Sequence, residues 1–301
     1  MRIGIDARVL AEGNGGVFVY AKNIISRMAS LGSGHDIHLF ANQYKRTDGG
    51  EIDRLRLLPN VFVHQYRFPN KFLNASFRFR RWPNIDDLVG GCDVLFFPSM
   101  MYGAWSAKTK TVLTMHDLSY EFFPEFFTVR QQLWHKLMDP KALCQKADRI
   151  IAVSGSTAKD VVNHYAIPEK KVATIHSGID AAFRAALPRA TLESARTRYG
   201  LGRGRYILQA GTLNPRKNGE ATLAAFERIR RLHPDVCSDV KLLFIGHAGW
   251  KTGPLLSAVR ASEFRDSIHI AREVPEHDLP ALYSFASVVA YPSFYEGFGF
   301  P

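Results

Sequence analysis

Arg216 and Lys217 stand side by side in Gly211-Thr212-Leu213-Asn214-Pro215-Arg216-Lys217-Asn218, straight after an apolar strand-like run. Cations at a helix start are disfavoured by the macrodipole. An anion shared between them and the helix tip removes that conflict, because an arginine fork grips it bidentately and a lysine adds a point charge. The competing reading is two solvated cations in a loop. A second group lies far along the chain, in Glu296-Gly297-Phe298-Gly299-Phe300-Pro301, after the run Ser287 to Pro292. The Glu296 carboxylate can accept hydrogen bonds from hydroxyls, and Gly297 and Gly299 let backbone N–H groups approach a ligand that a Cβ would block. If a helix starts here, its amides add a positive end where phosphate is favoured. Cations for a diphosphate and a carboxylate for hydroxyls together suit a sugar nucleotide.

Two further groups belong to the first half of the chain. Gly13-Asn14-Gly15-Gly16 precedes a helical pattern and resembles a phosphate-facing loop, but it is neither a GxGxxG nor a Walker A sequence. Without that fingerprint a nicotinamide dehydrogenase is not expected. Met115-His116-Asp117 ends a strand-like run. A His and an Asp at a strand's C-terminal tip can donate or accept at a sugar; a histidine that merely caps a loop is the alternative. Ser156-x-x-Lys159 and Lys251-Thr252-Gly253 match fragments of the serine β-lactamase motifs, but the Ser-Asp-Asn between them is missing. There is no Asp-x-Asp and no His/Cys/carboxylate cluster with metal-ligand spacing, so neither metal nor cofactor is expected.

Short apolar runs alternating with helical periodicity must position these residues, which is the pattern of parallel α/β sheets. Strands are predicted near 2–7, 36–41, 61–66, 93–97, 110–115, 149–153 and 172–175. One helix is predicted over 17–31 and one continuous helix over 129–147, with Ser154 or Ser156 capping the next. From Ser177 to Arg205 the rhythm breaks at Gly178, Pro188, Gly200, Gly202 and Gly204, which reads as a linker with a short helix. Alternation then resumes: strands 206–210, 241–245, 268–271 and 287–291, helices 217–232, about 254–262 and 278–286. The expectation is two tandem doubly wound domains, 1–176 and 206–301, joined by 177–205. In the strand order 3-2-1-4-5-6 the run 287–291 would be an exposed apolar edge, so the second domain is expected to continue beyond Pro301.

Composition narrows the partners. With 301 residues and 46% hydrophobic side chains the chain can bury two cores. Met1-Arg2-Ile3-Gly4-Ile5-Asp6 reads as a first strand rather than a signal peptide, and no run has the ~18 apolar residues a spanning helix requires. Cys92, Cys144 and Cys237 are odd in number and widely spaced, which suits free thiols in the cytoplasm. The net charge of +11 favours an anionic partner. Between Arg54 and Ile85 there is no Asp or Glu, while Arg54, Arg56, Arg67, Lys71, Arg78, Arg80 and Arg81 interleave with Phe62, Tyr66, Phe68, Phe72, Phe77, Phe79 and Trp82. Such a mixture could rest on an anionic membrane surface or stack on a single strand of nucleic acid, or be a solvated face over a local core. Nucleic acid explains the charge but not the pairing of cations with Glu296.

Taken in order, Gly15-Gly16…Tyr20, His116-Asp117-Leu118, Val153-Ser154, Gly178-Ile179-Asp180, Gly211…Pro215-Arg216-Lys217-Asn218 and Glu296-Gly-Phe-Gly-Phe-Pro resemble the family 4 (group 1) glycosyltransferases of GT-B fold. Within that family His116-Asp117-Leu118-Ser119-Tyr120 and Gly211 to Asn218 look most like bacterial mannosyltransferases of surface polysaccharide assembly. The resemblance implies retaining, metal-independent transfer of a hexose from a nucleotide-diphosphate sugar to a glycan or polyprenyl-linked acceptor. Arg216 and Lys217 would hold the diphosphate, and Glu296 would bind the donor sugar with Gly297, Phe298 and Gly299 beside it. His116 and Asp117 would serve the sugar, while Gly15, Gly16 and Gly211 would let backbone approach the donor. Thr212 departs from the arginine many members carry after the first glycine, which leaves the work to Arg216. The family's second carboxylate, further along than Glu296, falls beyond Pro301. A binding fragment without turnover, or less simply a GT-B epimerase, is the alternative, and the basic-aromatic stretch 54–85 would set the protein at the inner membrane face.

Overall fold

The computed structural model describes residues 1–11, 15–32, 34–43, 50–184 and 186–300. Contacts divide the chain into two compact units. Unit 1 comprises Met1–Leu118 and Val129–Ser177, and unit 2 comprises Ser119–Thr128 and Gly178–Pro301.

Unit 1 is built on seven parallel strands: β1 Arg2–Asp6, β2 Asp36–Asn42, β3 Val61–Tyr66, β4 Val94–Phe97, β5 Lys110–Met115, β6 Arg149–Ala152 and β7 Val172–Thr174. Their order is β3-β2-β1-β4-β5-β6-β7. Successive side chains on a strand point to opposite faces, and the two cores of this unit follow from that alternation. Phe40, Leu95 and Phe97 pack on one side; Leu39, Ala41 and Phe96 pack on the other. With both faces covered, β2 is buried along nearly its whole length. The helix Gly16–Leu31 covers one face through Ala21, Ile25 and Ala29, at i, i+4 and i+8.

Unit 2 repeats the plan with β8 Tyr206–Ala210, β9 Lys241–Ile245, β10 Ile268–Ala271 and β11 Val288–Val289, in the order β10-β9-β8-β11. That is 3-2-1-4 counted within the unit, the expected doubly wound order. Tyr206, Leu208 and Ala210 face one core while Ile207 packs on the other. Among the described residues no helix is long and apolar enough to cross a membrane.

Four features differ from the sequence reading. The single helix over 129–147 is two helices, Val129–Met138 and Pro140–Lys146. Pro140 cannot continue the first; Asp139 takes a left-handed conformation, φ 54°, and its side chain caps the second by accepting from Ala142 N. The strand 287–291 narrows to Val288–Val289, although Ser287 N and Ala290 N still donate to Tyr206 O and Leu208 O of β8. The stretch 177–205 carries the expected short helix, Arg189–Arg198, but this is no free linker: Ala195 is buried in a unit 2 core beside Leu201 and Tyr206. Finally, Ser119–Thr128 leaves unit 1 and packs with unit 2, which no local periodicity indicates.

Candidate functional site

In unit 2 the loop after β8 turns back at once. Gly211 has φ 120° and Gly246, at the end of β9, has φ 135°. A Cβ on Gly246 would lie 2.2 Å from the carbonyl oxygen of Gly211, so only glycine lets these two strand ends approach so closely. The chain then forms a single 3-10 turn, Pro215–Lys217, which Asn214 caps by accepting from Lys217 N. Asn218 follows in a left-handed conformation, φ 53°, and the long helix begins at Gly219. The cations therefore sit on a turn ahead of the helix, not on its first residues as the sequence reading had it. Left-handed Asn218 breaks the helical path between them.

The Glu296 loop closes over this turn. Phe294 N donates to Arg216 O at 3.0 Å, Arg216 Nη1 donates to Tyr295 O at 2.5 Å, and Asn218 Nδ2 donates to Pro292 O at 3.2 Å. As a result one carboxylate oxygen, Oε1 of Glu296, lies 2.8 Å from Arg216 Nη1 and 2.7 Å from Lys217 Nζ. Three residues that the sequence placed in two motifs thus form one ion triad, largely shielded from water. Burial pushes the Glu296 carboxyl up, but the charges of Arg216 and Lys217 and their hydrogen bonds outweigh it and hold its pKa below the usual value. From Glu296 to Phe300 the backbone that carries the amides of Gly297, Phe298 and Gly299 is an irregular loop. Gly299 has φ 84°, which suits glycine alone.

The sequence reading missed two contributors. Tyr291 accepts a hydrogen bond from Lys217 Nζ, and the ammonium also lies 4.4 Å from the ring centroid. The lysine is thereby held between the Tyr291 side chain and the Glu296 carboxylate. The second is the segment Ser119–Thr128. Phe126 packs on Phe294 at 5.1 Å, and Phe122 and Phe123 pack on Tyr295 at 5.7 and 5.8 Å. Trp250 Nε1 and Lys251 Nζ donate to the Phe126 and Glu125 carbonyls at 2.5 and 2.6 Å, fixing the segment to the loop after β9. The density of phenylalanine in Phe122-Phe123-Pro124-Glu125-Phe126-Phe127 was the available signal, since apolar rings on neither a helical nor a strand period require an outside surface.

Unit 1 holds the remaining sequence-selected residues. Gly15, φ 88°, precedes the helix that Gly16 begins, while Gly13 and Asn14 lie outside the described residues. Tyr20 on that helix meets His116 edge-on at 4.8 Å. His116 stands at the end of β5, and its Nε2–H donates to Pro98 O at 2.8 Å. That bond fixes the tautomer and leaves Nδ1 as an acceptor. Burial lowers the imidazole pKa, against the carbonyl bond and the charge of Asp117, so the ring is neutral at pH 7. Asp117 is half-buried beside it.

Residues 14–183 match the family model Glycosyltransferase Family 4, and residues 193–301 match Glycosyl transferases group 1. The O-antigen chain mannosyltransferase B of Escherichia coli is 29% identical over 203 residues, covering 64% of this chain and 49% of that protein. A serotype-specific mannosyltransferase WbdA of Escherichia coli is 28% identical over 197 residues, 64% of this chain and 23% of its own length. The chain thus spans about half, or less, of these curated relatives. Among solved structures, Anabaena HepE in complex with UDP-glucose superposes with a TM-score of 0.69 at 15% identity, over 99% of this chain and 76% of that one. WaaG, a glycosyltransferase involved in lipopolysaccharide biosynthesis, gives 0.65 at 15% identity, over 99% and 76%. By its two family matches the chain belongs to the family 4, group 1 glycosyltransferases, and its fold is GT-B.

Proposed function

We propose that this protein transfers a hexose, mannose in preference, from a nucleotide-diphosphate sugar to a glycan or polyprenyl-linked acceptor, retaining the anomeric configuration. The observation that carries the reading is the Arg216–Glu296–Lys217 triad. Two cations preorganised on one carboxylate suit a leaving diphosphate, because donors aimed at developing charge require no reorganisation during reaction. Arg216 and Lys217 are the donor types that meet phosphate oxygens, a planar fork and a point charge. The Glu296 carboxylate, once the diphosphate shares its cations, can accept from sugar hydroxyls. The neutral His116, with Nδ1 open as an acceptor, fits the sugar-facing role that the family resemblance gives it. The mannosyltransferase relatives support the choice of sugar, and the neighbour solved with UDP-glucose supports a nucleotide-sugar donor.

In this reading protein cations do the work of a metal, and the protein operates in the cytoplasm at the inner membrane face, with residues 54–85 turned to an anionic surface. The test is sugar transfer from GDP-mannose, compared with UDP- and dTDP-sugars, with product anomer assigned by NMR and with and without chelator. Transfer that survives chelation and disappears in Glu296→Gln and Lys217→Ala is expected. Wild-type rates in both variants would sink the assignment, loss of turnover with chelator would overturn metal independence, and donor binding without transfer by the unaltered chain would favour a binding role.

A further inference from the structure

Unit 1 contains a cavity of about 410 Å³ whose wall includes Arg78, Arg81, Lys146, Trp105, Tyr102 and Asp139. Its construction is unusual in three respects. Residues Ser76–Arg80 form a π-helical turn, a form that appears mostly as single turns and often at functional sites. Arg81 follows with φ 52°, a left-handed conformation that a non-glycine residue rarely takes, and it sets the guanidinium at the cavity. Lys146 lies over Trp105, Nζ 3.7 Å from the ring centroid, and donates to the Trp105 carbonyl at 3.3 Å. Three cations thus meet at one concavity.

Little negative charge answers them. Asp139 is in the wall, but its Oδ1 already accepts from Ala142 N as a helix cap. Asp86, the nearby buried carboxylate, is taken up by Ser106 and Thr109. Among the described residues none of Arg78, Arg81 and Lys146 forms an ion pair. Burial and the charge of Arg81 lower the Lys146 pKa, with Asp86 opposing weakly, as expected of crowded cations without a counter-ion. Around the cavity, large rings face water: Phe72 is 77% exposed, Phe79 75% and Trp82 66%. The helix Val129–Met138, whose last residue lines the cavity, also exposes Val129, Leu133 and Leu137 at i, i+4 and i+8. Cations beside exposed rings and an apolar helical stripe match an anionic bilayer surface, where phosphate takes the charge and the rings enter the headgroup layer.

We propose that this cavity takes the phosphate of an anionic glycerophospholipid, with Arg78 and Arg81 as the gripping forks, Lys146 as a point charge, and Phe79 and Trp82 seated in the interface. The proposal rests on the membrane-surface reading above and names the site that does the docking. Sugar transfer is not needed to test it. The full chain is sedimented with vesicles of phosphatidylcholine alone and of phosphatidylcholine mixed with phosphatidylglycerol, and nucleotide-sugar affinity is measured alongside by calorimetry. Binding to the mixed vesicles only is expected, with Arg81→Glu weakening it at least about tenfold at ~1 kcal/mol per surface cation. Arg265→Glu, a charge-matched change on unit 2, should leave it within about twofold, and both variants should keep wild-type donor affinity. Arg81→Gln serves where the reversal disturbs folding, with a smaller loss. Equal losses in the Arg81 and Arg265 variants would reduce the effect to net charge and overturn the site. Equal binding to both vesicle types, capture of inorganic phosphate without vesicle binding, or self-association abolished by Trp82→Ser would overturn it as well.

Discussion

Arg216 and Lys217 in unit 2 share the Glu296 carboxylate, whereas Arg78, Arg81 and Lys146 in unit 1 crowd one cavity where Asp139, the lone lining carboxylate among the described residues, is already a helix cap. Both clusters are cationic. The first carries its own counter-charge, so its geometry is held before any ligand arrives. The second lacks one, so its cations stay solvated at the rim and wait for an anion from outside. A neutralised cluster can sit deep and be exact in position, as chemistry requires; an un-neutralised cluster must stay near water, as a surface contact allows. The flanking aromatics repeat the contrast. In unit 2 the rings of Phe122, Phe123 and Phe126 brace the Glu296 loop, while in unit 1 Phe79 and Trp82 face solvent.

The comparison can be broken most sharply at Lys217. Lys217→Ala should lower kcat by roughly 10²–10³, the usual effect of removing one preorganised donor from developing charge, as a steady-state assay would read. A loss confined to KM would mean that the lysine only binds. Next in size is Gly246→Ala, which sets a Cβ against the Gly211 carbonyl under the cation turn. A destabilisation on the order of 3 kcal/mol is expected in urea unfolding, from strain at a left-handed site; an unchanged midpoint would mean that the loops are not packed as described.

Charge removal compares the clusters directly. Glu296→Gln leaves two shielded cations without their counter-charge and should cost about 1–3 kcal/mol of stability, whereas Arg81→Gln should stay within about 0.5 kcal/mol. Equal costs would erase the distinction between them. The Glu296 carboxyl is held below its ordinary 4.5, so its contribution is complete above about that pH and is lost as pH falls through the depressed folded value. Acid unfolding of Glu296→Gln should accordingly show a shallower loss of stability below pH 4.5 than the wild type. The smallest effect is at His116, whose burial favours the neutral ring. Its NMR resonances should show it still mostly neutral at pH 6.5, and a half-charged ring there would contradict the buried environment.

Much of the frame was legible in the chain. β3, β5, β8, β9 and β10 fall where apolar runs and their breaks indicate, because parallel strands buried on both faces need continuous apolar segments. Ser154 caps the helix Gly155–Tyr165 by accepting from Thr157 N, one of the two serines the pattern offered. The cation pair and the glycine-flanked Glu296 stood out as separate motifs, since adjacent charges and flanking glycines are local features. Local pattern could not separate Lys217 from the helix at Gly219, because a left-handed Asn218 is decided by the loop it contacts through Pro292. It overran β11 for a similar reason: strand length is set by pairing, and β8 pairs with only two residues of β11.

Sequence alone therefore determined the order of elements, the two doubly wound units and the residue types able to meet a diphosphate and a sugar, since each of these is written in short-range periodicity and residue chemistry. Tertiary structure alone decided that one oxygen of Glu296 would bridge Arg216 and Lys217, that Tyr291 would flank the lysine, and that Ser119–Thr128 would belong to unit 2 and brace its Glu296 loop. The physical reason is separation along the chain. Residues 79 or 74 positions apart, or in a segment that leaves its own unit, acquire partners only when sheet pairing and core burial have fixed where the loops meet.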